Sequence, residues 1–329
     1  MTPRNLHRIY FMIGILIILG ISFIDLICGD ISLVIKDLFQ EGSLSNRVLF
    51  QLRLPRVLTA SLAGAALALS GLQMQSIFRN PLADPHIMGI SSGASLGAAL
   101  VTMAGVSSPL LMGLGTASAS FAGAATAACV IIATSRRCSS STLLIFGIMM
   151  SFAVNALVSI VQFSSSEEGL KLFYSWSAGS FAGNSYAEVV MMFIAFVVGC
   201  SLCAVNSKGL NIILFGDEFA KHAGASPERI RSLAMVSCCL LTGVVTAFCG
   251  PLGFVGIISP HIARWIFKTA SHRSLIIGTS LIGASISLGA DLIIQLSSIP
   301  LPAGSVMAII GTPFVIAIMS KGGLNPVKK

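Results

Sequence analysis

The residues that could do chemistry in this chain are few, and their spacing completes no reactive site. Cys200 and Cys203 have the two-residue separation of a redox or zinc pair. No second pair and no nearby histidine completes a zinc site around them. Most of the eight cysteines lie inside apolar stretches, where sulfur packs well, and the five histidines are scattered singly. We therefore predict no metal site and no cofactor on this chain.

Motifs for nucleotide binding and for hydrolysis are also missing from the sequence. There is no Gly-x4-Gly-Lys-Ser/Thr loop to hold phosphates and no His-Glu-x-x-His helix. We predict that the chain is not an enzyme, that it has no catalytic residues, and that it binds no ATP through a phosphate-binding loop.

Composition places the chain in a membrane. Hydrophobic residues make up 55% of its 329 residues and charged residues only 10%, with a mean hydropathy of +0.91. Soluble domains carry about 25% charged residues. The apolar stretches are long and do not alternate, so the spans are helical rather than strands of a barrel. The prediction is an all-α, polytopic membrane protein.

Ten apolar stretches are candidate spans of a single transmembrane domain over residues 1–329. The eighth is short and contains Pro260, which predicts a short or broken helix. The candidates are Tyr10–Cys28, Val57–Phe78, Ile87–Met103, Leu110–Thr134, Leu143–Gln162, Ala187–Val205, Ser232–Cys249, Leu252–Phe267, Leu275–Leu296 and Val306–Met319.

Charge predicts the orientation. With ten spans and a cytoplasmic N-terminus, all but five of the 20 Lys and Arg residues fall on the cytoplasmic side. The five on the outside are Lys36, Arg47, Arg53, Arg56 and Lys171. This positive-inside bias favours ten spans with both termini in the cytoplasm. Lipid headgroups account for the net charge of +8 without a nucleic-acid partner.

Ionisable residues inside the spans separate the modes of transport. Asp25, Glu188 and Asp291 come near the membrane, and each lies close to the outer end of its span. A secondary transporter needs coupling-ion sites near mid-bilayer, so ion coupling is poorly supported and remains the alternative function. We interpret Asp291 as a structural acid paired with an arginine, with a relay or ligand role left open. A non-transporting scaffold is a third possibility.

The segment 206–231, on the cytoplasmic side, predicts a short helix between two turns. Gly216 and Asp217 can begin it and Gly224 can end it near Ala223. Two turns are too short to be stable alone, and Phe219 would be exposed. Such a helix suits insertion into a partner's groove, although a segment lying on the lipid surface remains an alternative.

Longer motifs then give a resemblance over essentially the whole chain. They are Arg53-Leu54-Pro55-Arg56, 64–71 (GAALALSG), 79–85 (RNPLADP), 89–94 (GISSGA), Gly216-Asp217, Ala223-Gly224, 253–256 (GFVG), Pro260-His261, Arg264, Ala290-Asp291-Leu292, 301–304 (LPAG) and 310–314 (IGTPF). In this order and spacing they resemble the FecCD-type permease subunits of bacterial iron-complex and cobalamin ABC importers.

The resemblance implies a type II importer permease fold with ten helices in the bacterial inner membrane. It also implies a homodimer or paired permease, two cytoplasmic ATPase subunits that hydrolyse the ATP, and an extracytoplasmic substrate-binding protein. The cargo would be an iron complex of a siderophore, haem or cobalamin.

The resemblance also implies roles for particular residues. Arg53 and Arg56 would dock the binding protein, Ser141 and Thr142 would form a cytoplasmic gate in the loop before the fifth span, and Ser151 and Asn155 are pathway candidates. For the two arginines, the alternative is anchoring to lipid phosphate. For Ser151 and Asn155, the alternative is hydrogen bonding between helices. Residues that would seat in the ATPase are Gly216, Asp217, Glu218, Phe219, Lys221, His222, Ala223 and Gly224. Two positions depart from the family pattern: Gln295 replaces an arginine and Pro300 an acid, so the docking rim is altered.

Overall fold

A computed structural model describes residues 3–29, 43–104, 115–135, 138–297 and 299–320, and these residues are almost entirely helical. Seven of the helices are long and apolar enough to cross a membrane. They are α1 (Pro3–Ile27), α2 (Leu44–Phe78), α4 (Gly115–Ser135), α5 (Ser140–Phe163), α7 (Tyr186–Ile213), α9 (Pro227–Cys249) and α11 (His272–Leu296). The shorter ones are α3 (Ile90–Ala99, continued by a π-turn to Ala104), α6 (Glu167–Ser177), α8 (Asp217–His222), α10 (Val255–Phe267) and α12 (Ala303–Ser320).

Every predicted span overlaps one of these helices, but several boundaries were wrong. Helix α2 begins at Leu44 rather than near Val57, with a π-helical stretch at Val48–Arg53. Helix α7 runs on to Ile213 and α9 begins at Pro227, so most of the predicted loop 206–231 is helix. Helix α6 was missed, although Ser166 caps it and two acids open its first turn.

Helix α2 lies at the centre of the bundle. Helices α7, α9, α10 and α11 all pack against it, and 83% of its apolar window is buried. Its polar side chains are satisfied by neighbouring helices: Ser70 lies 2.9 Å from Thr242, and Gln73 donates to Ser237 at 2.9 Å. Hydrogen bonds of this kind hold helices together where the hydrophobic effect does not.

Small residues let α2 and α11 approach closely. A Cβ atom on Gly64 would lie 2.2 Å from the carbonyl oxygen of Gly283, and one on Gly283 would lie 2.3 Å from that of Gly64. Helices α3 and α4 meet in the same way at Gly93 and Gly123. Gly64 and Gly93 therefore serve close helix packing.

The span predicted to be short or broken is α10, and it is short and continuous. It begins after Phe254, whose φ is 71°, contains Pro260, and ends at Lys268 in the left-handed region. Pro260 has no N–H to donate to the carbonyl oxygen of Gly256. The side chain of Gln75 from α2 donates to that oxygen at 3.4 Å, so a neighbouring helix satisfies the freed group.

The long helices differ widely in how much of their apolar surface is buried within the chain. Only 6% of the apolar window of α1 and 11% of that of α5 is buried within the chain. Some of the sequence predictions lie outside the described residues: the start of the fourth span at Leu110 and the cations Lys36, Arg136, Arg137, Lys321, Lys328 and Lys329.

Candidate functional site

One end of the bundle carries a buried ion pair between α2 and α11. The Nε atom of Arg56 donates to both carboxylate oxygens of Asp291 at 2.9 Å, and Nη2 donates to Oδ1 at 2.7 Å. Asp291 is fully buried, whereas 22% of the Arg56 side chain is exposed. This forked geometry is the strong form of an arginine–carboxylate contact. We call this end of the bundle the Arg56 face.

Gln295 extends the ion pair to α1. Its Nε2 atom donates to Oδ1 of Asp25 at 2.6 Å and to Oδ2 of Asp291 at 3.3 Å. Asp25 is also completely buried. Gln295, which replaces the arginine of the family pattern, therefore joins the carboxyl groups of α1 and α11. The sequence identified Asp25 as an acid near the end of its span but gave no sign of this partner.

Arg53 is not on the surface of the Arg56 face. It is only 6% exposed, and its Nη1 atom donates to the carbonyl oxygens of Leu26 and Ile27 at 2.9 and 2.7 Å. These carbonyls belong to the last turn of α1, where a cation interacts favourably with the helix dipole. Within this chain, the expectation of an exposed docking cation thus fits Arg56 better than Arg53.

A cavity of about 730 Å³ opens on the Arg56 face. Its lining includes Arg56, Gln51, Asn184, Gln295 and Leu301. The walls mix apolar side chains with amides and one partly exposed guanidinium. Such a cavity can receive a polar or acidic group that comes from outside the bundle.

The short helix α8 lies at the opposite end of the bundle, which we call the Phe219 face. Ala220 is fully buried and holds α8 against the bundle, whereas the rings of Phe215 and Phe219 are 72% and 51% exposed. The two ring centroids are 5.2 Å apart. The predicted range was correct to one residue, and Gly224 ends the helix with a φ of 76°. Phe215 was missed, although it stands four residues before Phe219.

The other residues of the predicted coupling segment follow the same division. Glu218, Lys221, His222, Ala223 and Gly224 are exposed, Asp217 is half-buried and Gly216 is buried. The turn that follows α8 leads directly into α9: the Ser226 hydroxyl accepts from the backbone N–H of Arg229, and Pro227 is the first residue of α9.

Asp217 of α8 is held by a residue that the sequence did not single out. Nη1 of Arg231, in the second turn of α9, donates to Oδ2 of Asp217 at 2.6 Å. The side chain of Arg231 is only 4% exposed and that of Asp217 is 27% exposed. The sequence shows Arg231 only as a basic residue shortly after the N-cap Ser226. Its burial could not be predicted, because it depends on contacts with both α5 and α8.

The predicted gate residues belong to a helix rather than to a loop. Ser139 caps α5 by accepting from the backbone N–H of Thr142 at 3.3 Å, and the two hydroxyl oxygens are 3.0 Å apart. Ser141 and Thr142 are exposed in the first turn of α5. The expected loop before the fifth span is therefore only the short stretch that ends at Ser139.

The two pathway candidates differ in their surroundings. Ser151 is half-buried and donates to the carbonyl oxygen of Gly147 at 2.9 Å, within its own helix. Asn155 is exposed near the middle of α5. An amide that faces hydrocarbon leaves its hydrogen-bonding groups unsatisfied. This position therefore calls for a covering helix or for water.

The described residues contain no group of three or more His, Cys, Asp or Glu side chains that could hold a metal ion. Cys200 is half-buried and Cys203 is buried, and both are free thiols.

Known proteins resemble this chain over most of its length. The molybdate import system permease protein MolB of Haemophilus influenzae is 33% identical over 99% of this chain and 100% of its own. The vitamin B12 import system permease protein BtuC of Klebsiella pneumoniae is 36% identical over 82% of each chain. A solved inward-facing structure of a metal-chelate type ABC transporter has a TM-score of 0.84 and 31% identity, over 96% of this chain and 99% of that one. Residues 15–321 match the FecCD transport family, and the chain belongs to that family.

Proposed function

We propose that this chain is the transmembrane permease subunit of an ATP-driven importer that carries a metal chelate or cobalamin across the bacterial inner membrane. The whole chain forms one permease domain. It works with a second copy or a closely similar permease, two cytoplasmic ATPase subunits and an extracytoplasmic binding protein. The importer permeases among its relatives support the class, and the site geometry supports the division of labour.

The single observation that carries this proposal is α8. A six-residue helix is too short to persist alone. Here it is anchored by buried Ala220 and by the Asp217–Arg231 ion pair, and it presents Phe219 to the surroundings beside Phe215 of the preceding turn. Two adjacent exposed aromatic rings, one on an anchored helix and one on the turn before it, suit a hydrophobic groove on a partner protein. In the proposed complex that partner is the ATPase.

Ten membrane crossings follow if three shorter helices are added to the seven long ones. These are α3, α10 and α12, of which α3 and α12 are apolar throughout. At 1.5 Å per residue the 13 residues of α10 cover only about 20 Å, so the segment before it completes the crossing. This topology places the Phe219 face and both termini in the cytoplasm.

The bare surface of α5 supports a paired permease. Only 11% of its apolar window is buried within the chain, and Asn155 is exposed in its middle. Against lipid this amide would be unfavourable. Against a second permease, across a hydrated path, Asn155 and Ser151 line the route and Ser141 and Thr142 stand at its cytoplasmic end.

The Arg56 face suits a docking protein outside the cell membrane. Arg56 keeps part of its guanidinium exposed at a cavity of about 730 Å³, while Asp291 holds it in place. A fixed cation at a rim steers an acidic partner and sets its register. Arg53 contributes by fixing the end of α1 beside it.

The cargo proposed here is an iron complex of a siderophore, haem or cobalamin. Relatives named for vitamin B12, for metal chelates and for molybdate show that one fold serves different cargoes. The described part of α5 offers only scattered hydroxyls and amides, which can let a bulky chelate pass without holding it tightly.

Ion-coupled secondary transport is the alternative, and one observation favours it. Asp25 and Asp291 are two buried carboxyl groups that share Gln295, as a coupling-ion relay would require. Both lie at the Arg56 face rather than at mid-span, and Asp291 is already paired with Arg56. The ATP-driven reading therefore has the better support.

The test uses membrane vesicles that contain the chain and its ATPase, with the cytoplasmic side facing the vesicle interior. The binding protein is present outside. Uptake of radiolabelled iron-siderophore, haem, cobalamin and molybdate is measured with and without ATP. We expect ATP-dependent uptake of one cargo, lost in Phe219→Glu. Lys208→Glu, which changes an exposed charge at the same end of the bundle, is the matched control and should transport normally. Uptake that follows a proton gradient and ignores ATP would establish the alternative.

A further inference from the structure

Arg231 touches two helices with one nitrogen atom. Its Nη1 lies 2.6 Å from Oδ2 of Asp217, the first residue of α8, and 3.4 Å from the hydroxyl oxygen of Ser140, the first residue of α5. Both Arg231 and Ser140 are buried, at 3% and 4% exposed. The first turns of α8 and α5 are therefore connected through a single guanidinium that belongs to α9.

This connection is difficult to break without consequence. A guanidinium taken out of water needs a paired carboxylate, and Asp217 is the carboxylate that Arg231 pairs with in the described structure. The Nε atom of Arg231 has no hydrogen-bond partner among the described residues, and the Ser140 hydroxyl, at 3.4 Å from Nη1, carries no charge that could replace the carboxylate of Asp217. If α8 moved away alone, a buried cation would be left unpaired. Moving α8 together with Arg231 avoids that penalty.

The far side of the connection is the turn that carries the candidate gate. Ser140 immediately precedes Ser141 and Thr142, which are exposed, and Ser139 holds the turn together by capping it. A displacement of Arg231 thus acts on the first turn of α5. No covalent loop joins α8 to α5, since α6 and α7 lie between them in the chain.

We propose that Arg231 is a positioning residue that transmits movement of the coupling helix α8 to the gate turn at Ser140. This inference rests on the proposed function, because it assumes that an ATPase moves α8. It adds the route by which that movement reaches the path. An ion pair that only keeps α8 folded would look the same in the structure, so the test must separate transmission from stability.

The experiment measures ATP hydrolysis and cargo uptake in the same proteoliposomes, and expresses the result as cargo imported per ATP hydrolysed. In Arg231→Met we expect this ratio to fall about tenfold, which is within the range of coupling free energies between sites, while hydrolysis continues. Arg231→Lys should recover part of the ratio, since a lysine keeps the positive charge that pairs with Asp217 but lacks the planar guanidinium. Arg229→Met, at an exposed cation on the same helix, should match wild type.

A second readout follows the gate without measuring transport. Cys138 is half-exposed and stands two residues before Ser140. With the other partly exposed thiols changed to serine (Cys28, Cys129 and Cys200), a charged maleimide should label Cys138 at a rate that responds to nucleotide. We expect that response in wild type and in Arg229→Met, and its loss in Arg231→Met and Ser140→Ala.

The outcomes separate the two proposals. If wild type imports no cargo with ATP, the proposed function fails and this inference falls with it. If wild type imports cargo and the Arg231→Met ratio is unchanged, only the inference is wrong. Proportional loss of hydrolysis and uptake, with no recovery in Arg231→Lys, would assign Arg231 a structural role alone. If Arg231→Met does not fold, Ser140→Ala decides, because it leaves the Asp217 ion pair intact.

Discussion

Replacing Asp291 tests whether the buried pair on the Arg56 face is structural. In Asp291→Ala, Arg56 loses three short contacts and Gln295 loses one of its two acceptors. Asp291→Asn keeps one carbonyl oxygen that can still accept a hydrogen bond from Arg56. The two variants therefore differ in how much of the pair they remove, and their order is itself a prediction.

The expected loss of stability follows from burial. Deleting one partner of a buried ion pair costs about 3–5 kcal/mol. Since 22% of the Arg56 side chain reaches water, we place Asp291→Ala at about 3 kcal/mol, the lower end. Asp291→Asn should cost about 2 kcal/mol, the value of a hydrogen bond to a charged group. At about 2 °C per kcal/mol the midpoint of thermal unfolding falls by about 6 and 4 °C.

The buried thiols of the chain provide the assay. Cys203, Cys238 and Cys249 are buried in the native structure, so a thiol-reactive dye reports unfolding in detergent. Arg56→Ala and the double variant complete a thermodynamic cycle. We expect the double variant to be less destabilised than the sum of the single ones, by about 2 kcal/mol. Glu168→Ala, at an exposed acid, is the control and should change stability by less than about 0.5 kcal/mol.

Transport measured on the same variants gives the result that would refute the reasoning. A structural Asp291 predicts that Asp291→Asn imports cargo per ATP as wild type does once protein amounts are matched. If Asp291→Asn keeps its thermal midpoint but loses uptake driven by a proton gradient, Asp291 is a coupling site. The structural interpretation and the ATP-driven function would then both be wrong.

Three further perturbations have expected outcomes. Arg53→Ala removes the cation that holds the end of α1 and should lower the free energy of unfolding by about 2 kcal/mol in the thiol-dye assay. Arg53→Lys should lose less stability, because it keeps the positive charge. Phe219→Glu should leave the chain in the membrane at normal abundance while abolishing co-purification of the ATPase; an ATPase that stays bound would contradict the role of α8. Gly64→Ala should lower stability by about 1–3 kcal/mol, because its Cβ would lie 2.2 Å from the Gly283 carbonyl oxygen. Gly289→Ala, where no atom of the described residues lies within 4 Å of the new carbon, should be neutral or stabilising, and equal effects at both glycines would refute the packing argument.

The sequence predicted the fold well because the relevant signals are local. Length and apolarity mark the long helices, and the short apolar run around Pro260 marks the short helix α10. Gly216 and Asp217 at its start and Gly224 at its end placed α8 to within one residue. The predicted start of α2 was too late, because its first turns lie before the uninterrupted apolar run. Helix α6 was missed because it is amphipathic and short.

The sites were harder to predict because they depend on burial. Arg53 and Arg56 are three residues apart and look alike in the sequence, yet Arg53 is buried against the end of α1, whereas Arg56 pairs with Asp291 and stays partly exposed. Arg231 acquires its two contacts from helices that lie 14 and 91 residues away in the chain. In the sequence, Gln295 is only a departure from the family pattern at the docking rim. Its hydrogen bond to Asp25 depends on the position of α1 in the fold.

The central position of α2 has a consequence for biogenesis. Its mean hydropathy of 1.5 is the lowest of the seven long helices described, because it carries polar side chains whose partners lie on later helices. The partner of Gln73 is 164 residues further along and that of Ser76 is 196. At about 5–20 residues per second, translation needs on the order of ten to thirty seconds to make them. During that time α2 has left the ribosome without its final neighbours. The insertion machinery or an attendant chaperone must shelter it until the last third of the chain arrives.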